Sequence, residues 1–163
     1  MAYVTQENEK DPILACQDGV LRIIQDSKLF LEIPLGSPVT AISNLHFDTP
    51  GRLRSSKDPV GVIFGLENGK LGVVRIEKSL LGSNREAAAS IIWVISDEKK
   101  SPVTAIAVYD LSQEKGTDII VGRDDGRVEV YTTGSDSGEG GNFTQPYIVF
   151  SHDLQERLLL LTL

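Results

Sequence analysis

Ile119-Ile120-Val121-Gly122-Arg123-Asp124-Asp125-Gly126-Arg127-Val128-Glu129-Val130-Tyr131 is a β-rich run, a turn carrying Gly, and a second β-rich run. Val, Ile and Tyr suit a pleated, half-buried surface, and Asp-Gly between two such runs marks a hairpin. The phrase occurs twice earlier, from Ile13 to Ile24 around Gly19 and from Val62 to Val74 around Gly69. The turn glycines stand 50 and 57 residues apart, near the length of a propeller blade and beyond that of the shorter helical repeats. A second repeat runs in phase with the first. Ser37-Pro38-Val39-Thr40-Ala41-Ile42 recurs letter for letter as Ser101-Pro102-Val103-Thr104-Ala105-Ile106, each time upstream of a hairpin phrase.

Four antiparallel strands per repeat turn these phrases into an all-β chain, a partial β-propeller of about two and a half WD40-like blades. Residues 1–36 make an incomplete blade, with strands near 12–17, 20–25 and 28–33. Residues 37–98 make a blade from strands at 38–47, 59–66, 70–76 and 90–95, and residues 99–151 another from 102–109, 118–122, 127–132 and 146–150. Residues 152–163 begin the next blade, although Leu158-Leu159-Leu160-Leu161 fits a helix start equally well. The polar stretch 49–58 and the Gly-rich stretch 134–142 read as rim loops and linker. Residues 85–89 allow a single helical turn at most. Because a blade hides its apolar face only against a neighbour, so few blades read as a segment of a longer protein, a truncated product, or a piece completed by a partner.

Sixteen basic against 23 acidic residues leave a net charge of −7, which argues against a broad electropositive surface for nucleic acid or anionic lipid. Cys16 is the only cysteine. It rules out an internal disulfide, and within an apolar strand it reads as a small hydrophobe. Neither a secretory leader nor a run long enough to cross a bilayer is present, so a soluble, cytosolic product without direct membrane insertion is expected. Asn142-Phe143-Thr144 is then an accidental glycosylation match.

Few residues suggest chemistry. Asp124 and Asp125 offer adjacent carboxylates, but calcium loops alternate their oxygen ligands and need six to eight of them. The sister turns, Gln17-Asp18-Gly19 and Glu67-Asn68-Gly69, favour the plainer reading. An Asp or Asn before Gly serves a tight turn, with Gly19, Gly69 and Gly126 supplying positive φ. His46 and His152 have no partner at metal-ligand spacing, no Ser-His-Asp set stands out, and 134–141 lacks the Lys and helix of a phosphate loop. Trp93 and Tyr131 occupy strands and suit packing between blades. No enzyme and no cofactor is expected; Arg123 and Asp125 are the candidates for an exposed partner contact.

Two phrases carry a resemblance. Leu14-Ala15-Cys16-Gln17-Asp18 followed by Val20-Leu21-Arg22, and Thr117-Asp118-Ile119-Ile120-Val121-Gly122-Arg123-Asp124-Asp125-Gly126 leading into Val128-Glu129-Val130-Tyr131, closely resemble the propeller of the Bardet-Biedl syndrome 7 family. Phe64-Gly65 through Gly69-Lys70-Leu71 falls between them in the same order, so the similarity runs from about residue 11 to residue 150. The resemblance implies a non-catalytic subunit of the BBSome, a coat-like complex carrying membrane proteins to and from cilia. Its partners would be other propeller and helical-repeat subunits, and its place the cytoplasm, the basal body and the ciliary membrane. Three alternatives stay open beside it: a propeller fragment without independent function, a generic propeller binding module, and a calcium-dependent domain resting on Asp124 and Asp125.

Overall fold

The computed structural model describes residues 2–6, 9–25, 27–46, 59–77, 80, 86–96, 101–109, 111, 117–133 and 145–153. Among them the chain forms three four-stranded antiparallel sheets, each a simple meander. The first holds β1 (Ala2–Gln6), β2 (Glu9–Ala15), β3 (Val20–Gln25) and β4 (Lys28–Pro34). The second holds β5 (Val39–His46), β6 (Val60–Leu66), β7 (Leu71–Ile76) and β8 (Ala89–Ile95). The third holds β9 (Val103–Tyr109), β10 (Asp118–Arg123), β11 (Arg127–Thr132) and β12 (Tyr147–Asp153). Glu86–Ala88 forms a single 3-10 turn ahead of β8. The loop and linker readings at 49–58 and 134–142 lie outside the described residues.

Two expectations change. The first sheet is not short of a strand, because β1 pairs with β2 from Ala2 opposite Ile13 to Gln6 opposite Glu9. That pairing is made by backbone groups, and Tyr3, Val4 and Thr5 are residue types that suit a strand. His152 and Asp153 do not open a further blade; they extend β12 opposite Val128 and Arg127. The rest of 152–163 lies outside the described residues.

Successive sheets stack through their faces. β9 lies against β5 and β6, and β5 lies against β1 and β2, which makes β1, β5 and β9 the corresponding first strands. Period-2 alternation sends the side chains of each strand to opposite faces. From β6, Val62, Phe64 and Leu66 enter a core shared with Ile13, Leu21, Ile23 and Ile33 of the first sheet. Ile63 turns the other way, joining Leu45, Leu71, Val73 and Trp93 against Val103, Ile119, Val121 and Tyr131 of the third. All of β6 is consequently buried. Each fully buried aliphatic or aromatic side chain contributes roughly 1.5–3 kcal/mol.

The letter-for-letter repeat has a structural reason. Thr40 is skipped in the pairing of β5 with β6, and Thr104 in that of β9 with β10, so each is the extra residue of a β-bulge. The Thr104 hydroxyl donates to the Gly122 carbonyl at 3.1 Å, and the Thr40 hydroxyl lies 3.1 Å from the Gly65 carbonyl and 2.5 Å from the Val103 carbonyl of the third sheet. The Pro38 carbonyl accepts the Glu67 N–H and the Pro102 carbonyl the Asp124 N–H, each at 3.0 Å. Ser-Pro-Val-Thr-Ala-Ile is thus a device that ties the first strand of a sheet to its own hairpin. A further bulge falls at one register in all three sheets, where Phe30, Ile92 and Val149 are skipped in the last strand.

Candidate functional site

Three hairpin turns sit at corresponding places along the stack. Gly19, Gly69 and Gly126 take φ of 78°, 82° and 83°. Their N–H groups donate to the carbonyls of Cys16, Leu66 and Arg123 at 3.2, 3.0 and 3.1 Å. Asn68 does not share the positive φ, so the turn is not the primed two-residue type that Asn-Gly suggests. It is a type I turn closed by a left-handed glycine, with Leu66 N–H returning to the Lys70 carbonyl at 2.9 Å. The residue before Gly adds a bond from its side chain. Asn68 Oδ1 accepts the Lys70 N–H at 3.2 Å, and Asp125 Oδ1 accepts the Arg127 N–H at 3.1 Å.

Arg123 and Asp125, expected as an exposed pair, are separated by the turn. Asp125 stays half-exposed. Burial opposes its ionisation, yet the Arg127 N–H and the charges of Arg127 and Arg123 hold its carboxyl below the usual range. Arg123 is only 4% exposed and is no surface contact. Its Nε donates to Glu129 Oε2 at 2.7 Å, and the Tyr131 hydroxyl donates to the same oxygen at 2.8 Å. Its Nη1 donates to the Ser101 carbonyl at 2.8 Å and, across the seam, to the Gly69 carbonyl of the preceding sheet at 3.1 Å. Glu129 itself is 1% exposed. A buried cation is tolerable here because a carboxylate and two carbonyls meet it.

The first sheet carries a different charged group at this place. Arg22 donates to both carboxylate oxygens of Asp18, at 3.0 and 2.6 Å, and to Glu32 at 2.8 Å. Its hydrogen bonds hold the Asp18 carboxyl below the usual range, and Asp18, Cys16 and Glu32 raise the guanidinium pKa in return. Superposing the three phrases aligns Cys16, Leu66 and Arg123, and likewise Arg22, Gly72 and Glu129. That alignment was the available signal for a buried Arg123, since its sister in the second sheet is a core leucine.

Trp93 and Tyr131 both pack in the second core. His152 lies in β12 with its ring 6.2 Å from that of Phe150, and His46 ends β5. Cys16 is half-buried, with its thiol 3.8 Å from the Leu14 carbonyl. Among the described residues no three His, Cys, Asp or Glu side chains cluster as metal ligands, and no helix is long and apolar enough to cross a membrane.

Residues 1–159 match the BBS7 beta-propeller family. Over 145 residues, 89% of the chain, the sequence is 33% identical to BBSome complex member BBS7 of Mus musculus. Over 76% of the chain it is 28% identical to BBSome complex member bbs-7 of Caenorhabditis elegans. It spans 18% and 15% of those proteins' lengths. In structure it is similar to BBS1N, crystallised in complex with ARL6DN, with a TM-score of 0.55 at 14% identity over 93% of this chain and 38% of that one. The last likeness bears on the fold alone.

Proposed function

The chain belongs to the BBS7 beta-propeller family, and from that premise we propose that it is a non-catalytic scaffold segment of a BBSome subunit, acting in ciliary membrane-protein trafficking. Family membership along nearly the whole chain is the observation that carries this reading. The chemistry of the site agrees with it: the charged groups at the seams are engaged in holding sheets together, as in a rigid body that presents loops to partners. The partners are other BBSome subunits, propeller and helical-repeat proteins, met in the cytoplasm, at the basal body and at the ciliary membrane. Partner contacts fall on the turn rim, where exposed Asp124 stands beside half-exposed Asp125, and not on Arg123.

Affinity capture of the tagged chain from ciliated cells, quantified against an unrelated propeller of similar size, tests the reading. Recovery of BBSome subunits above that control is the expected result. Equal recovery from both would sink it.

A further inference from the structure

The last strands of the three sheets, β4, β8 and β12, each pair with one neighbour only, so each turns an edge of backbone N–H and C=O groups outward. Natural sheets blunt such edges with charges and proline. β4 does so with Lys28, Glu32 and Pro34, and β12 ends in Ser151-His152-Asp153. β8 reads Ala89-Ser90-Ile91-Ile92-Trp93-Val94-Ile95, without a charge or a proline and rich in the types that favour strands. The bulge in the last strand is common to all three sheets and does not set β8 apart. It does change what β8 shows. Skipping Ile92 places Ile91 opposite Val74 and Val94 opposite Gly72, so two apolar side chains share one face. That face is covered by the first sheet at Val74, yet Ile91 is 48% and Val94 38% exposed. The sheets press together chiefly through β1, β2, β5, β6 and β9, away from their last strands. The exposure therefore belongs to a sheet with a neighbour on both faces, and does not depend on where the chain begins or ends.

We propose that the outer edge of β8 docks an extended segment of a partner protein, which adds to the second sheet as a fifth strand. The occupant follows from continuity with the existing ladder. Among the described residues the outward backbone groups of β8 have no backbone partner. A row of alternating donors and acceptors is matched by another extended backbone, and by neither a helix nor a folded surface. Ile91 and Val94 then select aliphatic or β-branched side chains at the facing positions of the segment. The chain's net charge of −7 favours basic flanks on that segment over acidic ones. This edge is separate from the turn rim and does not rest on the family reading; either can fail without the other.

The test adds a synthetic peptide copying residues 70–76, the stretch that holds β7, to the 163-residue chain. β7 already pairs with β8 from its other side, and the peptide carries the cations of Lys70 and Arg75. Anisotropy of the labelled peptide should show saturable binding, and hydrogen exchange should slow over residues 89–95 and not over 28–34. Methylating the peptide nitrogens of Val73 and Val74 removes a donor from each of its edges and leaves the side chains alone; it should weaken binding about tenfold or more. Ile91→Ser combined with Val94→Ser should weaken it by a similar factor, while Leu29→Ser on β4 should leave it unchanged. No saturable binding, or a methylated peptide that binds as well as its parent, would overturn the proposal. So would an equal loss caused by Leu29→Ser. A chain that runs at the mass of two copies without peptide, and at the mass of one with it, would overturn it in favour of a second copy at the same edge. If the double serine variant melts early, the methylated peptide against the unmodified chain decides.

Discussion

Replacing Arg123 by leucine, the residue its repeat partner Leu66 already is, separates the worth of a buried ion pair from the cost of breaking it. Arg123→Leu leaves the Glu129 carboxylate at 1% exposure without the guanidinium 2.7 Å away. Removing one member of a buried pair costs about 3–5 kcal/mol, chiefly because the surviving charge is still desolvated. The Gly69 and Ser101 carbonyls also lose a donor, which keeps the loss in the upper part of that range. A chain of this size shifts by roughly 2–4 °C per kcal/mol, so the midpoint should fall by about 8–20 °C. Arg123→Leu combined with Glu129→Gln removes the stranded charge and leaves a carbonyl for the Tyr131 hydroxyl. The double variant should recover about 1–3 kcal/mol of the loss, as a coupled pair does. Thermal and urea unfolding of all four proteins reads the cycle. A single variant within about 2 °C of the parent, or a double variant no better than Arg123→Leu alone, would refute a clasp made by charge inside a seam.

Two further outcomes follow. A methyl added at Gly65 would stand 2.3 Å from Val103 Cγ1; Gly65→Ala should cost about 1–3 kcal/mol by overpacking, and Val103→Ala should restore part of it. No rescue in denaturant melts would mean that the two sheets do not meet there. Asp18 has its folded pKa below its ordinary value of 3.8, so its contribution is present above that value and lost as pH falls through the lower one. Asp18→Asn should lower the melting temperature near neutrality and converge on the parent in acid; a gap that does not narrow below about pH 4 would count against the Arg22 pairing.

Much of this fold is legible in three repeated phrases, because hairpins are local. Val-Ile-rich arms and a glycine at a fixed offset specify a strand, a turn and a strand with no knowledge of the rest of the chain. What was not legible depends on neighbours. β1 is a strand because β2 has an edge to offer it; Tyr3-Val4-Thr5 is β-prone, but three such letters ahead of a charged stretch are too short a run to mark a strand. The turn type depends on whether one residue or two adopt positive φ, and Asn-Gly permits either. Arg123 looks like a surface residue until its position is matched to Leu66, which shows that the next sheet covers it. The bulges at Phe30, Ile92 and Val149 leave no mark in the letters, since a skipped residue in a last strand obeys no composition rule. Of the candidate contacts, the glycines could be read from sequence, while the division of labour between Arg123 and Asp125 required the seam.

The second sheet has no side of its own. Val62, Phe64 and Leu66 are hidden only while the first sheet is in place, and Ile63, Leu71 and Val73 only while the third is. Peeling away either neighbour strips one face and leaves the keystone half wetted, whereas losing the keystone uncovers both neighbours at once. In a nearest-neighbour stack this makes the sheet covered on both faces the element whose loss is collective. A lesion in β6 is therefore felt in both cores at once, and one in β3 in the first core alone.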